Sequence, residues 1–181
     1  MEPELDEWSE LEYANIRKHV GPNRLILSHV HPTLLANLPE RIRPENGIVI
    51  TEKPILDIEG VEKSKVILLD PQATEELVPE DGDNFEYFLF GGILELRVQG
   101  FATRHLGPVQ MTTDTAVLVS QLVVEGRKRL GELPFVDRPE IKLGKKESVE
   151  LPFRYIVEDG KPKLPAGLFE LLKKSNDVSL I

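Results

Sequence analysis

The chain has 181 residues, 22 basic against 31 acidic, for a formal charge of −9 at pH 7, and 40% of its residues are hydrophobic. That is enough for one domain with a sizeable core, or one domain with an appendage, and it excludes a disordered or fibrous chain. With no cysteine, thiol catalysis, disulfides and every thiolate-ligated metal or cluster are excluded. No apolar run approaches the roughly 18 residues of a membrane span, and the acidic start is not a signal peptide's basic region, so a cytoplasmic protein with no membrane partner is expected.

The charge is unevenly spread. Up to Ile93 there are eight basic and nineteen acidic residues, and after it fourteen and twelve. A strongly acidic first half, Glu10 and Glu12 among its carboxylates, repels a phosphate backbone and attracts a basic partner.

In chain order, Leu5 to Val20 carries Leu5, Trp8, Leu11, Ile16 and Val20 at helical spacing and stops at Gly21-Pro22, which predicts an amphipathic helix. Arg24 to Val30 reads as a strand, followed after Pro32 by a short helix to Leu38, and Ile48 to Thr51 as another strand. The apolar runs Lys65 to Asp70 and Phe85 to Phe90 are too short for helices and too continuous for a half-exposed sheet, so they predict central parallel strands. Ala102 to Leu106 is a further strand. Thr112 or Thr113 should cap a helix from Thr115 to about Leu130. Beyond Gly131 come extended segments at Leu133 to Phe135, Glu140 to Leu143 and Val149 to Glu158, an Asp159-Gly160 turn, and a helix from Gly167 to Lys174. The alternation predicts an α/β sheet with helices on both faces and a β-rich C-terminal extension.

Ligands of such sheets sit beyond the carboxyl ends of strands. Three turns lie there: LLDPQAT from Leu68, FGGIL from Phe90, and RHLGPVQMTTDTA from Arg104. The Gly91-Gly92 pair would let a ligand approach the backbone, although a glycine pair also makes an ordinary turn. Capping explains one hydroxyl of Thr112, Thr113 and Asp114 better than it explains all three polar side chains with Gln110. There is no dinucleotide fingerprint, phosphate loop or nucleophile elbow. His29 and His31 share a strand face but have no clear carboxylate partner, so no metal site is assigned.

Together LLDPQAT, YFLFGGIL, RHLGPVQMTTDTAV and LPFRYI with its Asp-Gly turn resemble the SPOUT, or α/β-knot, methyltransferases. Within that class they resemble the branch holding a eukaryotic arginine methyltransferase that acts on a ribosomal protein, together with archaeal predicted RNA methyltransferases. The resemblance implies a trefoil-knotted C-terminal half, with 1–131 the α/β-knot core and 132–181 an extension packed on it. It implies S-adenosylmethionine bound in the knot by Leu69, Asp70 and Pro71, by Phe90, Gly91, Gly92 and Ile93, and by Leu106, Gly107, Gln110, Met111, Thr112, Thr113 and Thr115. It places Asp114 as the carboxylate beside the reacting groups, with helix-dipole capping as its alternative role. A ribosomal-protein arginine is the favoured acceptor, RNA the alternative, a non-catalytic binding module the second alternative, and the assembly a monomer or a knot-type homodimer. Two departures stand out. The family's first strand precedes the Glu2-Pro3 of this chain, and its polar Gly-Asp-His-Pro-Pro-Arg type loop is missing after Leu94, so a break between the alpha carbons of Leu94 and Glu95 is expected.

Overall fold

The computed structural model describes residues 4–91, 93–144 and 147–178, without the side chains of residue 93 and residues 176–178. Helix α1 (Glu7–Val20) starts at Asp6, whose side chain accepts the Ser9 N–H, and stops at Gly21, φ +90°. Glu7 and Glu10 in its first turn and Arg17, Lys18 and His19 in its last complement the helix dipole. Strand β1 (Leu25–Leu27), helix α2 (Pro32–Ala36) and strand β2 (Ile48–Ile50) follow. The two strands pair in parallel, Leu25 opposite Ile48. Leu27, Val30, Leu34, Ile42 and Ile48 close a core there. His31 is spent on capping α2, its Nδ1 accepting the Thr33 N–H at 3.2 Å.

Strand β3 (Val66–Leu69) leads through helix α3 (Asp81–Asn84) to β4 (Tyr87–Leu89), and helix α4 (Ile93–Arg97) to β5 (Ala102–Arg104) and the long α5 (Thr113–Val124). β3 lies between β4 and β5, parallel to both. Every residue of β3 is buried. Ile67 and Leu69 pack in the cluster that holds Leu118, Val119 and Val123 of α5, while Val66 and Leu68 pack with Ile55 and Phe101. Coverage on both faces is the physical reason for the unbroken apolar run.

The expected single sheet is in fact two parallel sheets. The strand pair β1–β2 and the triplet β4–β3–β5 are not hydrogen-bonded to each other, and a cavity of about 560 Å³ is lined by residues of both β1 and β4. A second correction concerns α5, which ends at Val124 and not near Leu130. A Cβ on Gly126 would sit 2.5 Å from the Leu122 carbonyl oxygen, and Arg127 takes a left-handed φ of +54°. The chain turns there and returns Leu130 to the core.

The last fifty residues contain β6 (Phe135–Asp137), β7 (Glu140–Lys142), β8 (Ser148–Glu150), β9 (Arg154–Glu158), β10 (Lys161–Pro162) and helix α6 (Leu168–Val178). β9 pairs antiparallel with β6 and β10, and β7 pairs antiparallel with β8. The segment expected as one strand from Val149 to Glu158 is divided at Pro152, which has no N–H for a ladder. Ile156 of β9 joins the same cluster as β3 and α5. Among the described residues no helix is long and apolar enough to cross a membrane.

Candidate active site

The first post-strand loop is locked internally. Asp70, 4% exposed, accepts hydrogen bonds from Arg97 Nε at 2.5 Å and Nη2 at 2.6 Å, and its Oδ1 also accepts the Gln72 N–H at 2.8 Å. The Arg97 guanidinium holds this carboxyl below the usual carboxylate range. Asp70 thereby ties α4 to the loop, while Pro71 is exposed. In the second loop Phe90 packs inward, and Gly91 has φ +83° with nothing within 4 Å of where a Cβ would stand. Gly92 lies outside the described residues. The expected break after Leu94 is not there, because Leu94 and Glu95 are consecutive residues of the α4 helix that begins at Ile93.

The third loop is anchored from the C-terminal side. The Arg154 N–H donates to the Gln110 carbonyl at 2.9 Å, and Met111 forms a parallel bridge with Arg154. Gly107 turns at φ +92° and donates its N–H to His105 Nδ1 at 3.1 Å. Thr112 occupies the cap position of α5, yet its hydroxyl is paired with Thr115 Oγ1 at 2.8 Å and makes no backbone cap, contrary to the capping expectation. Leu69, Phe90, Leu106 and Met111 converge on one apolar cluster, and Gly91 and Thr113 line one cavity. An apolar floor, an unobstructed glycine and loop backbone suit a flat base and a thioether-like sulfur.

Beside this lies a polar group that the sequence reading did not assemble. Glu12, Asn15 and His19 recur at intervals of three and four, so α1 presents them on one face. The Glu12 carboxylate accepts the Trp8 indole N–H at 2.7 Å and faces the Thr113 N–H at the start of α5. Burial, with the charges of Asp114 and Asp6, raises its pKa to about 7. Asp114, 2% exposed, accepts from Asn15 Nδ2 at 2.8 Å through Oδ2, and its Oδ1 has no partner. Tyr155 of β9 is fully buried, its hydroxyl also lacks a partner, and burial together with Asp114 and Glu12 raises its pKa. His19 Nε2 is buried without a partner, and burial and Lys163 lower its pKa.

Sequence reasoning picked out Asp114, named Glu12 with Glu10 only among the acidic side chains presented to a basic partner, and passed over Tyr155. The one available signal was the polar stripe along α1, which reads equally as a solvated face. Glu10, named with Glu12, points elsewhere, 3.6 Å from Arg41. Among the described residues no cluster of three or more metal-ligating side chains is present.

The model of the SFM1-like family, protein arginine N-methyltransferase SFM1-like, matches residues 1–179. The protein arginine N-methyltransferase SFM1 of Saccharomyces cerevisiae is 39% identical over 202 residues, spanning 99% of this chain and 94% of the relative. The crystal structure of yeast arginine methyltransferase SFM1 complexed with SAM matches with a TM-score of 0.88 at 37% identity, covering 98% of this chain and 88% of that one. The same yeast enzyme complexed with SAH gives 0.86 at 37% identity, covering 96% and 92%.

Proposed function

This chain belongs to the SFM1-like protein arginine N-methyltransferase family, and we propose that the arginine it methylates lies on a basic ribosomal protein. It is an S-adenosylmethionine-dependent enzyme, in keeping with solved structures of its yeast relative bound to SAM, SAH and MTA. The cofactor supplies an electrophilic methyl on a sulfonium. Leu69 to Pro71, Phe90 to Ile93 and Leu106 to Thr115 are the segments assigned to hold it, by the trefoil-knot path that the family resemblance implies. On that path 1–131 is the knotted core and 132–181 the extension packed against it. Asp114 is the carboxylate assigned to the acceptor.

Charge carries the choice of acceptor. The first half is strongly acidic, which attracts a cationic protein segment and repels RNA. The basic run that an RNA reading would use is largely engaged: Arg127 is paired with Asp83 and donates to the Pro79 carbonyl at 2.9 Å, and Arg129 lies 3.9 Å from Glu80. Lys142 remains exposed, and Lys145 and Lys146 lie outside the described residues. Packing of α1 and of β9 on α5 supports a monomer over a dimer through the knot helices. A cytoplasmic location accords with a ribosomal substrate.

The test is to incubate the protein with labelled S-adenosylmethionine and ribosomes, then separate protein from RNA. Label is expected in arginine of one small basic protein. Label in a nucleotide and none in arginine would overturn the acceptor while leaving the family unchanged.

A further inference from the structure

Two strand edges face each other across one cleft. β4 lies in the kind of apolar run that suits a strand buried on both faces, yet it stands at the edge of its sheet and is half-buried. β1 is an edge as well, with Leu25 and Ile26 half-buried. Neither strand contains a charge or a proline, the usual guards against edge pairing. Residues of both line the cavity of about 560 Å³, to which β2, β3 and β5 contribute none.

The occupant has to satisfy backbone as well as side chains. Thr51 donates its N–H to the Leu27 carbonyl at 2.9 Å, so Leu27 turns its backbone to β2 and, by alternation, Ile26 and Ser28 turn theirs to the cleft. A small apolar molecule would leave those donors and acceptors unpaired, whereas an extended peptide pairs them. Side chains of such a peptide would be covered on both faces. Ile16 and Val20 of α1 and Val117 and Val124 of α5 line the cleft, and so does Ile55, which packs on the face of β3 opposite to α5. A continuous apolar, β-branched run fits there.

The path of the chain shows where that run comes from. Parallel neighbours are joined by a crossover, most often a helix. α1 leads into β1 and lines the cleft beside it, the place of a crossover whose first strand is not among the described residues. Leu5, just ahead of α1, packs on the cluster of Leu27 and Val30 at the carboxyl end of β1. A strand that ends there lies parallel to β1. We propose that the cleft between β1 and β4 is a strand slot, and that its occupant is an extended apolar segment carried ahead of Met1 on the same polypeptide, joining the two sheets into one. About five residues span the slot. Gly91 and Thr113, assigned to the cofactor, line the same cleft, so the segment forms part of the floor beneath them.

Peptide mapping of the protein purified from its own cells should find an apolar, β-branched segment ahead of Met1. A native amino terminus at Met1 overturns this occupant. In parallel, the 181-residue chain is compared with the same chain extended at its amino end by about five alternating valines and isoleucines. A control extension has prolines interspersed, which offer no N–H to a ladder.

The apolar extension should slow hydrogen exchange of the Ile26 and Ser28 amides at least ~100-fold and raise the melting temperature by roughly 5–10 °C, with the proline control unchanged. It should also tighten S-adenosylhomocysteine binding about 10-fold by ordering the floor under the loops. Equal exchange at Ile26 and Ser28 in all three proteins overturns the slot. Slow exchange there in an unextended chain that sediments as a dimer overturns the occupant and gives its place to a second copy. Equal affinity in the apolar and proline extensions overturns the link to the cofactor loops.

Discussion

Asp70 and Asp114 are almost equally deep, 4% and 2% exposed, and both stand in segments assigned to the cofactor side of the molecule. Their surroundings are opposite. Both oxygens of Asp70 are bonded to Arg97, and Oδ1 also takes a backbone N–H. Asp114 has one oxygen served by Asn15 and the other left bare, next to a tyrosine hydroxyl that is also bare. Burial of a carboxylate is therefore not in itself a mark of chemistry. A completed network holds the fold, as α4 is held to the β3 loop, while an incomplete one of fixed geometry is a place for something to bind.

The largest expected effect breaks the completed side. Asp70→Ala leaves Arg97 and the Gln72 N–H unpaired and should cost about 2 kcal/mol of stability in urea unfolding. That is less than for a wholly buried pair, since the Arg97 side chain keeps 30% of its surface in water. A carboxyl lowered in the folded state adds stability above its unfolded pKa and loses it as pH falls through the folded one. The gap between wild type and Asp70→Asn should accordingly narrow below about pH 4. A loss within experimental error at neutral pH would remove the contrast between the two aspartates.

On the incomplete side the sign reverses. Glu12 is raised from 4.5 to about 7, so the folded protein binds its proton more tightly than the unfolded chain does. Its contribution is fully present below 4.5 and lost as pH rises through about 7. Glu12→Gln should therefore be more stable than wild type at pH 8, by on the order of 1 kcal/mol after allowance for partial solvent screening, with no gain at pH 4. Melting temperatures across that range measure it. Equal stability at pH 8 would mean that the carboxylate is already satisfied.

Smaller still, Tyr155→Phe removes a hydroxyl that has nothing to lose and should leave stability within about 1 kcal/mol of wild type, or slightly above it. A large drop in thermal stability would show that the hydroxyl is bonded in solution and would return Tyr155 to the structural group. Arg127→Ala should lower the melting temperature only slightly at moderate salt, because its ion pair with Asp83 is exposed and the remaining loss is one hydrogen bond to the Pro79 carbonyl.

How legible the molecule was in its sequence varied with the range of the interactions. β3 was visible as a short apolar run because burial on both faces writes itself into consecutive residues, whereas β4 has the same kind of run but is a half-buried edge strand and not the central strand expected. The end of α5 was not, because Arg127 had to take a left-handed turn to bring Leu130 home, and nothing in the apolar density after Val124 reveals that. Asp114 was picked out by motif. Its partner Asn15 is 99 residues away, and no local pattern connects them.

By itself the sequence determined the chemistry on offer: the exclusion of cysteine, the acidic first half, the alternation of strand and helix, and three post-strand loops whose residues carry the family resemblance. These depend on composition and on neighbours along the chain. The tertiary structure decided which of the polar groups is spent and which is left open. It bound Asp70 to Arg97, turned the Glu12 face of α1 toward α5, and brought Tyr155 to Asp114 by docking β9 beside the third loop. The physical reason is that a hydrogen bond or a desolvation cost exists only between groups that packing has already brought together.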